Sequence, residues 1–216
     1  NNNGFGYVCF TNLDNVFKDS KSAQLWWDSN ITDWRRKHKN PNGIYHVRNC
    51  SQGNDKLGVE FAHPFVEENL IQIHNGTLNL KEFTPDLEIL KTIIDPKTID
   101  SENFLKTLNH FVKESAPLKI EHILRTIKNW EGTYAFIIID KRQPNKVFIA
   151  KDGIKNLHIC EFKTGKLPSG FIINTSKFEL EYSANILLDY ASALDIRLSY
   201  KIHELNKMKI WEYILG

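Results

Sequence analysis

The sequence predicts an α+β fold with mainly antiparallel sheets. Three observations carry this. Strand-like apolar runs come first, two helix-like segments follow, and four more strand-like runs close the pattern across short turns. Segregated strands and helices favour antiparallel pairing, because a parallel sheet needs β and α segments in alternation. Across 216 residues there is no linker-like composition, low complexity or internal repeat, so a single domain over 1–216 is expected.

Taken in order, alternating or continuous apolar runs predict strands at Phe5–Thr11, Ile44–Arg48, Leu70–His74, Tyr134–Asp140, Lys146–Lys151, Leu157–Phe162 and Phe171–Thr175. Asn75-Gly76 lies between apolar runs and predicts a tight hairpin turn directly after the third strand. Phe104, Leu105, Leu108, Phe111 and Val112 repeat at helical spacing behind Asp100-Ser101, which can cap the segment. Pro117 follows, and Ile120, Ile123, Leu124 and Ile127 mark a second helix ending near Trp130-Glu131-Gly132. A helix at Ala23–Lys37 rests on Trp26, Trp27 and Trp34, and another is expected over Ala184–Ala193.

The 28 basic and 26 acidic residues nearly cancel, so no field argues for a nucleic-acid or membrane partner. The densest basic stretch, Arg35-Arg36-Lys37-His38-Lys39, sits where cations complement a helix C-terminus. No apolar run is long enough to span a bilayer, and no segment resembles a signal peptide. Cys9, Cys50 and Cys160 are odd in number and far apart, which suggests neither a disulfide framework nor a zinc site and makes a reducing cytoplasm the default. The richness in Asn, Ile and Lys is what an AT-rich genome, a viral one among them, encodes.

Three polar clusters stand beside strand ends, where scaffolded loops carry function. In "HVRNCSQG", His46–Gly53, Arg48 could grip a carboxylate in bidentate fashion, or pair with an acidic neighbour as a rim arginine. In "FAHPFVEENLIQIHNG", His63-Pro64 is a stiff turn entry, and the Asn75 side-chain amide with the Gly76 N–H could converge as an oxyanion hole. Viewed alone, that dipeptide is more simply a hairpin turn. In "IDSENF", Asp100 has a capping duty first, with an oxygen to spare for a ligand's ammonium group. "NNNGFGYV" opens a strand rather than a helix, so its G-x-G is no phosphate loop, and a Cys50/His pair has no local signature behind it.

Taken together and in order, these clusters resemble one family, the class II (N-terminal-nucleophile) glutamine amidotransferases, such as the glutaminase domains of glucosamine-6-phosphate synthase and amidophosphoribosyltransferase. "NNNGFGYVCF" looks like the family's D-G-x-G strand with Asn3 for the aspartate, and "HVRNCSQG" is similar to its H-x-R-x-[AST]-x-G loop. "AHPF" and "IHNGTLNL" resemble its H-P and H-N-G segments, "DSENFLKTL" its D-[ST]-E helix start, and "WEGTYAFIIID" its G-x-Y-A strand. "FIAKDGIKNLHI" and "INTSKFEL" resemble the segments that follow, so the likeness covers nearly the whole chain.

The resemblance implies a four-layer αββα sandwich and hydrolysis of glutamine to glutamate and ammonia for an acceptor that the sequence does not name. It implies that Arg48 holds the substrate carboxylate, Asp100 its ammonium group, and Asn75 with Gly76 the tetrahedral oxyanion, while Ser51 lines the site. Neither the residues nor the resemblance ask for a cofactor or a metal. The family's nucleophile is an N-terminal cysteine whose own α-amino group is the base. That cysteine, with a first strand and helix, is expected upstream of Asn1, since Cys9 lies inside a strand. The alternative is a non-catalytic relative that uses the pocket for ligand binding or the fold for assembly.

Overall fold

The computed structural model describes residues 4–25, 28–30, 33, 42–48, 58–112, 116–165, 167–205 and 209–215. It holds eleven described strands: β1 (Phe5–Cys9), β2 (Asn12–Asp19), β3 (Gly43–Val47), β4 (Phe65–Glu67), β5 (Leu70–Leu80), β6 (Trp130–Asp140), β7 (Lys146–Lys151), β8 (His158–Thr164), β9 (Leu167–Asn174), β10 (Leu198–Glu204) and β11 (Lys209–Ile214). The described helices are α1 (Leu87–Ile93), α2 (Asp100–Phe111), α3 (Ile120–Lys128) and α4 (Lys177–Ala193). The mix of helix and antiparallel sheet is the fold class that the element order predicts. The chain forms two compact units, one of Asn1–Gly132, Phe136–Ala150 and Ile210–Gly216, the other of Thr133–Ala135 and Lys151–Lys209.

In the first unit β1 lies between β2 and β3, antiparallel to both. Every residue of β1 is buried, so a strand written FGYVC packs apolar surface on both faces. Tyr7 stacks on Phe17 at 5.1 Å and on Tyr45 at 5.8 Å. The larger sheet runs β11-β7-β6-β5-β4. Helix α2 packs against it through Phe104, which stacks on Phe136 at 4.2 Å and meets Trp130 at 6.0 Å. The helical spacing of Phe104, Leu105, Leu108 and Phe111 puts all four in the core. In the second unit, β8 pairs antiparallel with β9 and β10, and Cys160 and Phe162 of β8 bury themselves against Leu180 and Ala184 of α4.

Three expectations are corrected. Asn75-Gly76 is no hairpin turn: β5 continues through it to Leu80, and the real turn lies at Glu68-Asn69, where β4 Glu67 pairs with β5 Leu70. The alternation after the dipeptide, Thr77 exposed, Leu78 buried and Asn79 exposed, is a strand period that outweighs the local turn preference. Asp100 does not cap α2. Ile99 holds the cap position, and the Asp100 carboxylate turns to β5 instead. Helix α4 begins seven residues before the expected Ala184, because Ser176 Oγ accepts the Glu179 amide at 3.3 Å and so caps an earlier first turn. Of the expected helix at Ala23–Lys37, residues 23–25, 28–30 and 33 are helical, while its three tryptophans lie outside the described residues.

Candidate functional site

The site is built where α2 starts across β5. Strand β4 pairs with β5 only as far as Gln72, so beyond that point one edge of β5 has no strand beside it among the described residues. The start of α2 takes that place. Asp100 Oδ2 accepts the Leu78 amide at 2.7 Å, and Asp100 Oδ1 accepts the Ser101 amide at 2.8 Å. Buried Ser101 makes two more ties: its carbonyl accepts from Gln72 Nε2 at 3.1 Å, and its Oγ hydrogen-bonds His74 Nδ1 at 2.9 Å. Three hydrogen bonds thus lock the start of α2 to residues 72, 74 and 78, on both sides of Asn75-Gly76.

Within that frame Asn75 is exposed and Gly76 half-buried. Gly76 has φ 152°, in the region that L side chains rarely adopt, so the strand changes course there without ending. Opposite, Gly132 of β6 lets the two strands close up, since a Cβ there would overlap the Thr77 carbonyl and stand 3.2 Å from Leu78 Cα.

Three histidines and an arginine back the strand. His46 Nε2 donates to the His74 carbonyl at 3.2 Å, which assigns its proton to Nε2 because a carbonyl can only accept. The His46 and His63 rings lie 4.1 Å apart, and His74 stacks on Phe136 at 4.6 Å. Burial, the nearby His74 and the Arg48 guanidinium push the His46 imidazole down to about 4, against its hydrogen bond to the His74 backbone. His63 lies well below the usual histidine range for the same first reason, with His46, His74, Lys18 and Arg48 adding to it. Both rings are therefore neutral near pH 7. Neither nitrogen of His63, nor His46 Nδ1, finds a hydrogen-bond partner among the described residues. Glycines at the start of β1 make room for this layer: Gly4, just before the strand, stands against Ala62, and a Cβ on Gly6 would overlap the His63 carbonyl.

Arg48 follows β3, is 6% exposed, and has its amide bonded to the Gly4 carbonyl at 2.8 Å. Its charge reaches both His46 and His63, which sets it beside the same cluster. Asn75, Gly76 and Asp100 thus share one stretch of β5 and the α2 start, and Arg48 adjoins them through the histidines. Ser51 lies outside the described residues. Sequence reasoning missed Ser101, Gln72 and the tie from His46. The available signal was polar residues at inward positions of apolar elements, Gln72 within Leu70–His74 and Ser101 beside Asp100.

An open cavity of about 540 Å³ lies elsewhere, lined by Glu67, Glu68, Lys106 and His110 among others, and none of Arg48, Asn75, Gly76 and Asp100 lines it. Among the described residues no three His, Cys, Asp or Glu side chains are arranged to hold a metal ion, and no helix is long and apolar enough to cross a membrane.

Comparison with known proteins gives the class as a likeness: half of the chain is similar in sequence to glutamine–fructose-6-phosphate aminotransferases, and its fold is similar to that of solved glutamine amidotransferases. The particular relatives are aminotransferases and amidotransferases. The glutamine–fructose-6-phosphate aminotransferase (isomerizing) of Escherichia coli O6:H1 is 31% identical over 115 residues, 51% of this chain and 18% of that protein. The protein of the same name from Buchnera aphidicola subsp. Acyrthosiphon pisum is 26% identical over 111 residues, with the same coverage. The chain therefore spans less than a fifth of the length of these curated relatives. Among solved structures, the glutamine phosphoribosylpyrophosphate amidotransferase of B. subtilis matches with a TM-score of 0.52 at 16% identity, over 100% of this chain and 43% of the other. A predicted glutamine amidotransferase from Pseudomonas aeruginosa matches with a TM-score of 0.50 at 15% identity, over 98% of this chain and 85% of the other. No protein-family model matches the chain.

Proposed function

We propose that this chain is the glutamine-hydrolysing part of an amidotransferase, releasing glutamate and delivering ammonia to an acceptor domain or subunit. The observation that carries the reading is the Asp100 carboxylate on the Leu78 amide, at the open edge of β5 two residues past Gly76. In a strand, N–H groups two residues apart leave from the same edge, and on this reading the Gly76 N–H lies on the side on which Asp100 stands. A glutamine held head-first by Asp100 then lies along a donor that no described strand has claimed.

In the proposed reaction, Arg48 takes the α-carboxylate and Asp100 the α-ammonium group. Each Asp100 oxygen keeps acceptor capacity beyond its protein hydrogen bonds. A thiolate attacks the side-chain amide carbon, and the oxygen that becomes negative is met by the Asn75 amide and the Gly76 N–H. Ammonia leaves with a proton from the nucleophile's base, and water releases glutamate from the thioester. Neither Cys9 nor Cys160 suits the attack: both are buried, and burial raises both thiols. The nucleophile is proposed to be a cysteine preceding Asn1 in the full polypeptide, in a reducing compartment where free thiols persist.

The test uses the full-length protein from its natural reading frame. It measures ammonia release from glutamine, glutamate binding by calorimetry, and the site labelled by an electrophilic glutamine analogue. Hydrolysis together with a label on a cysteine upstream of Asn1 is the expected result. Glutamate binding without hydrolysis or label assigns the protein to non-catalytic ligand binding, and absence of both removes glutamine from the reading.

A further inference from the structure

We propose that His46 is a positioning residue for the Asn75-Gly76 donor pair, acting through the carbonyl of His74. This inference rests on the function proposed above and adds a role that the motif residues alone do not contain. The His74 carbonyl belongs to the peptide whose nitrogen is that of Asn75. Its acceptance of the His46 Nε2–H at 3.2 Å therefore fixes the plane from which Asn75 departs. The same residue is held a second time, by Ser101 Oγ on its ring, and the far end of the segment is held by Asp100 on the Leu78 amide.

The need for such a brace comes from Gly76. A glycine in a strand interior has no Cβ to restrict the neighbouring peptides, and φ 152° takes it off the ordinary strand path. Left to itself, residues 75–77 could rotate their peptide planes at low cost, and two hydrogen-bond donors would lose their common aim. Clamping the planes on both sides converts a soft segment into a preorganised one. His46 suits the task because its carbonyl partner settles the tautomer, and because a neutral ring adds no charge beside Arg48. His46 touches no substrate in this arrangement, so its contribution is geometric.

The experiment compares His46→Leu, which removes the donor, with His46→Gln, whose amide can replace it, in the full-length protein. Three quantities are read: kcat and KM for glutamine hydrolysis, glutamate affinity, and the ¹⁵N–¹H resonance of the Asn75 backbone amide. Misplacement of a catalytic group by about 1 Å costs on the order of 10²-fold, so His46→Leu is expected to lower kcat by roughly 10- to 100-fold. KM and glutamate affinity, set by Arg48 and Asp100, should stay within about threefold, a change under ~0.7 kcal/mol. The Asn75 resonance should move in His46→Leu and return, with part of kcat, in His46→Gln. A folded His46→Leu protein with native kcat overturns the inference, as does one whose Asn75 resonance does not move. Should His46→Leu not fold, His46→Asn, whose shorter side chain cannot reach the carbonyl, takes its place under the same criteria. If the native protein neither hydrolyses nor binds glutamine, the proposed function fails on its own, and the Asn75 resonance still decides whether His46 sets that peptide.

Discussion

Mild acid should destabilise this fold before its carboxylates titrate, and His46 should account for a measurable share. The His46 imidazole is pushed from 6.5 to about 4 by burial first and then by His74 and Arg48. The sign follows from which state takes up the proton. Between those two values the unfolded chain is protonated and the folded one is not, so stability is complete above 6.5 and falls as pH drops towards 4. At about pH 5, the difference in proton uptake at this one residue amounts to roughly 2 kcal/mol relative to neutrality. His63, shifted the same way by burial and by His46, His74, Lys18 and Arg48, adds to the loss, and the two rings, 4.1 Å apart, titrate as a pair. The assay is the thermal midpoint of the native protein and of His46→Gln at about pH 7.5 and pH 5. For a chain of this size ~2 kcal/mol corresponds to about 4–8 °C, so the native protein should lose that much more than the variant between the two pH values. The comparison cancels whatever the substitution costs at neutral pH. Parallel losses in the two proteins would refute the assignment of a buried, neutral His46.

Three further outcomes are expected. Asn75→Asp should keep a near-native thermal midpoint, because its side chain is exposed, while ammonia release from glutamine falls by about 10²–10³-fold or more as a donor is replaced by a negative charge. Arg48→Ala should weaken glutamate binding by roughly 1.5–3 kcal/mol in calorimetry, and Arg48→Lys should also be impaired because an ammonium cannot reproduce the planar fork. Gly6→Ala should destabilise by about 3 kcal/mol or more in urea denaturation: its Cβ would overlap the His63 carbonyl and stand 2.7 Å from the Phe17 carbonyl, both main-chain atoms with little freedom to yield.

What the sequence discloses here depends on how local the cause is. Strand β7 matches its expected limits, Lys146–Lys151, because a continuous apolar run buried on both faces leaves few alternatives. Helix α2 is equally legible from its apolar spacing. Strand β2 is not: NLDNVFKD is half polar, and it becomes a strand because β1 offers it a ladder from Phe5–Asp19 to Cys9–Asn12. Strands β10 and β11 also escape the sequence, and their pairing partners lie far away along the chain. The candidate site divides along the same line. Arg48, Asn75, Gly76 and Asp100 are chemically conspicuous, and the family resemblance points to them. Ser101, Gln72 and His46 act only through a meeting of β3, β5 and α2 that no short window of sequence contains.

The dipeptide Asn75-Gly76 shows why the distinction matters for function. A hairpin and an interrupted strand make the same local demand, a residue tolerant of positive φ, so the sequence satisfies both. The two geometries use the freedom differently. In a hairpin the chain reverses, and the amides of the turn face solvent. In β5 the chain goes on, so residues 70–74 remain in the core while Leu78 re-enters it, and the segment between is suspended from two anchored ends. Short β4 leaves the edge open, and the α2 start fills it with a carboxylate rather than with another strand. A longer β4 would satisfy the same backbone groups and complete the ladder, but it would cover the Gly76 amide. Among the described residues, the fold therefore gives up a few strand hydrogen bonds at one edge of β5 and replaces them with side-chain ties from Asp100 and Ser101, and on the proposed function the donors between those ties serve the ligand.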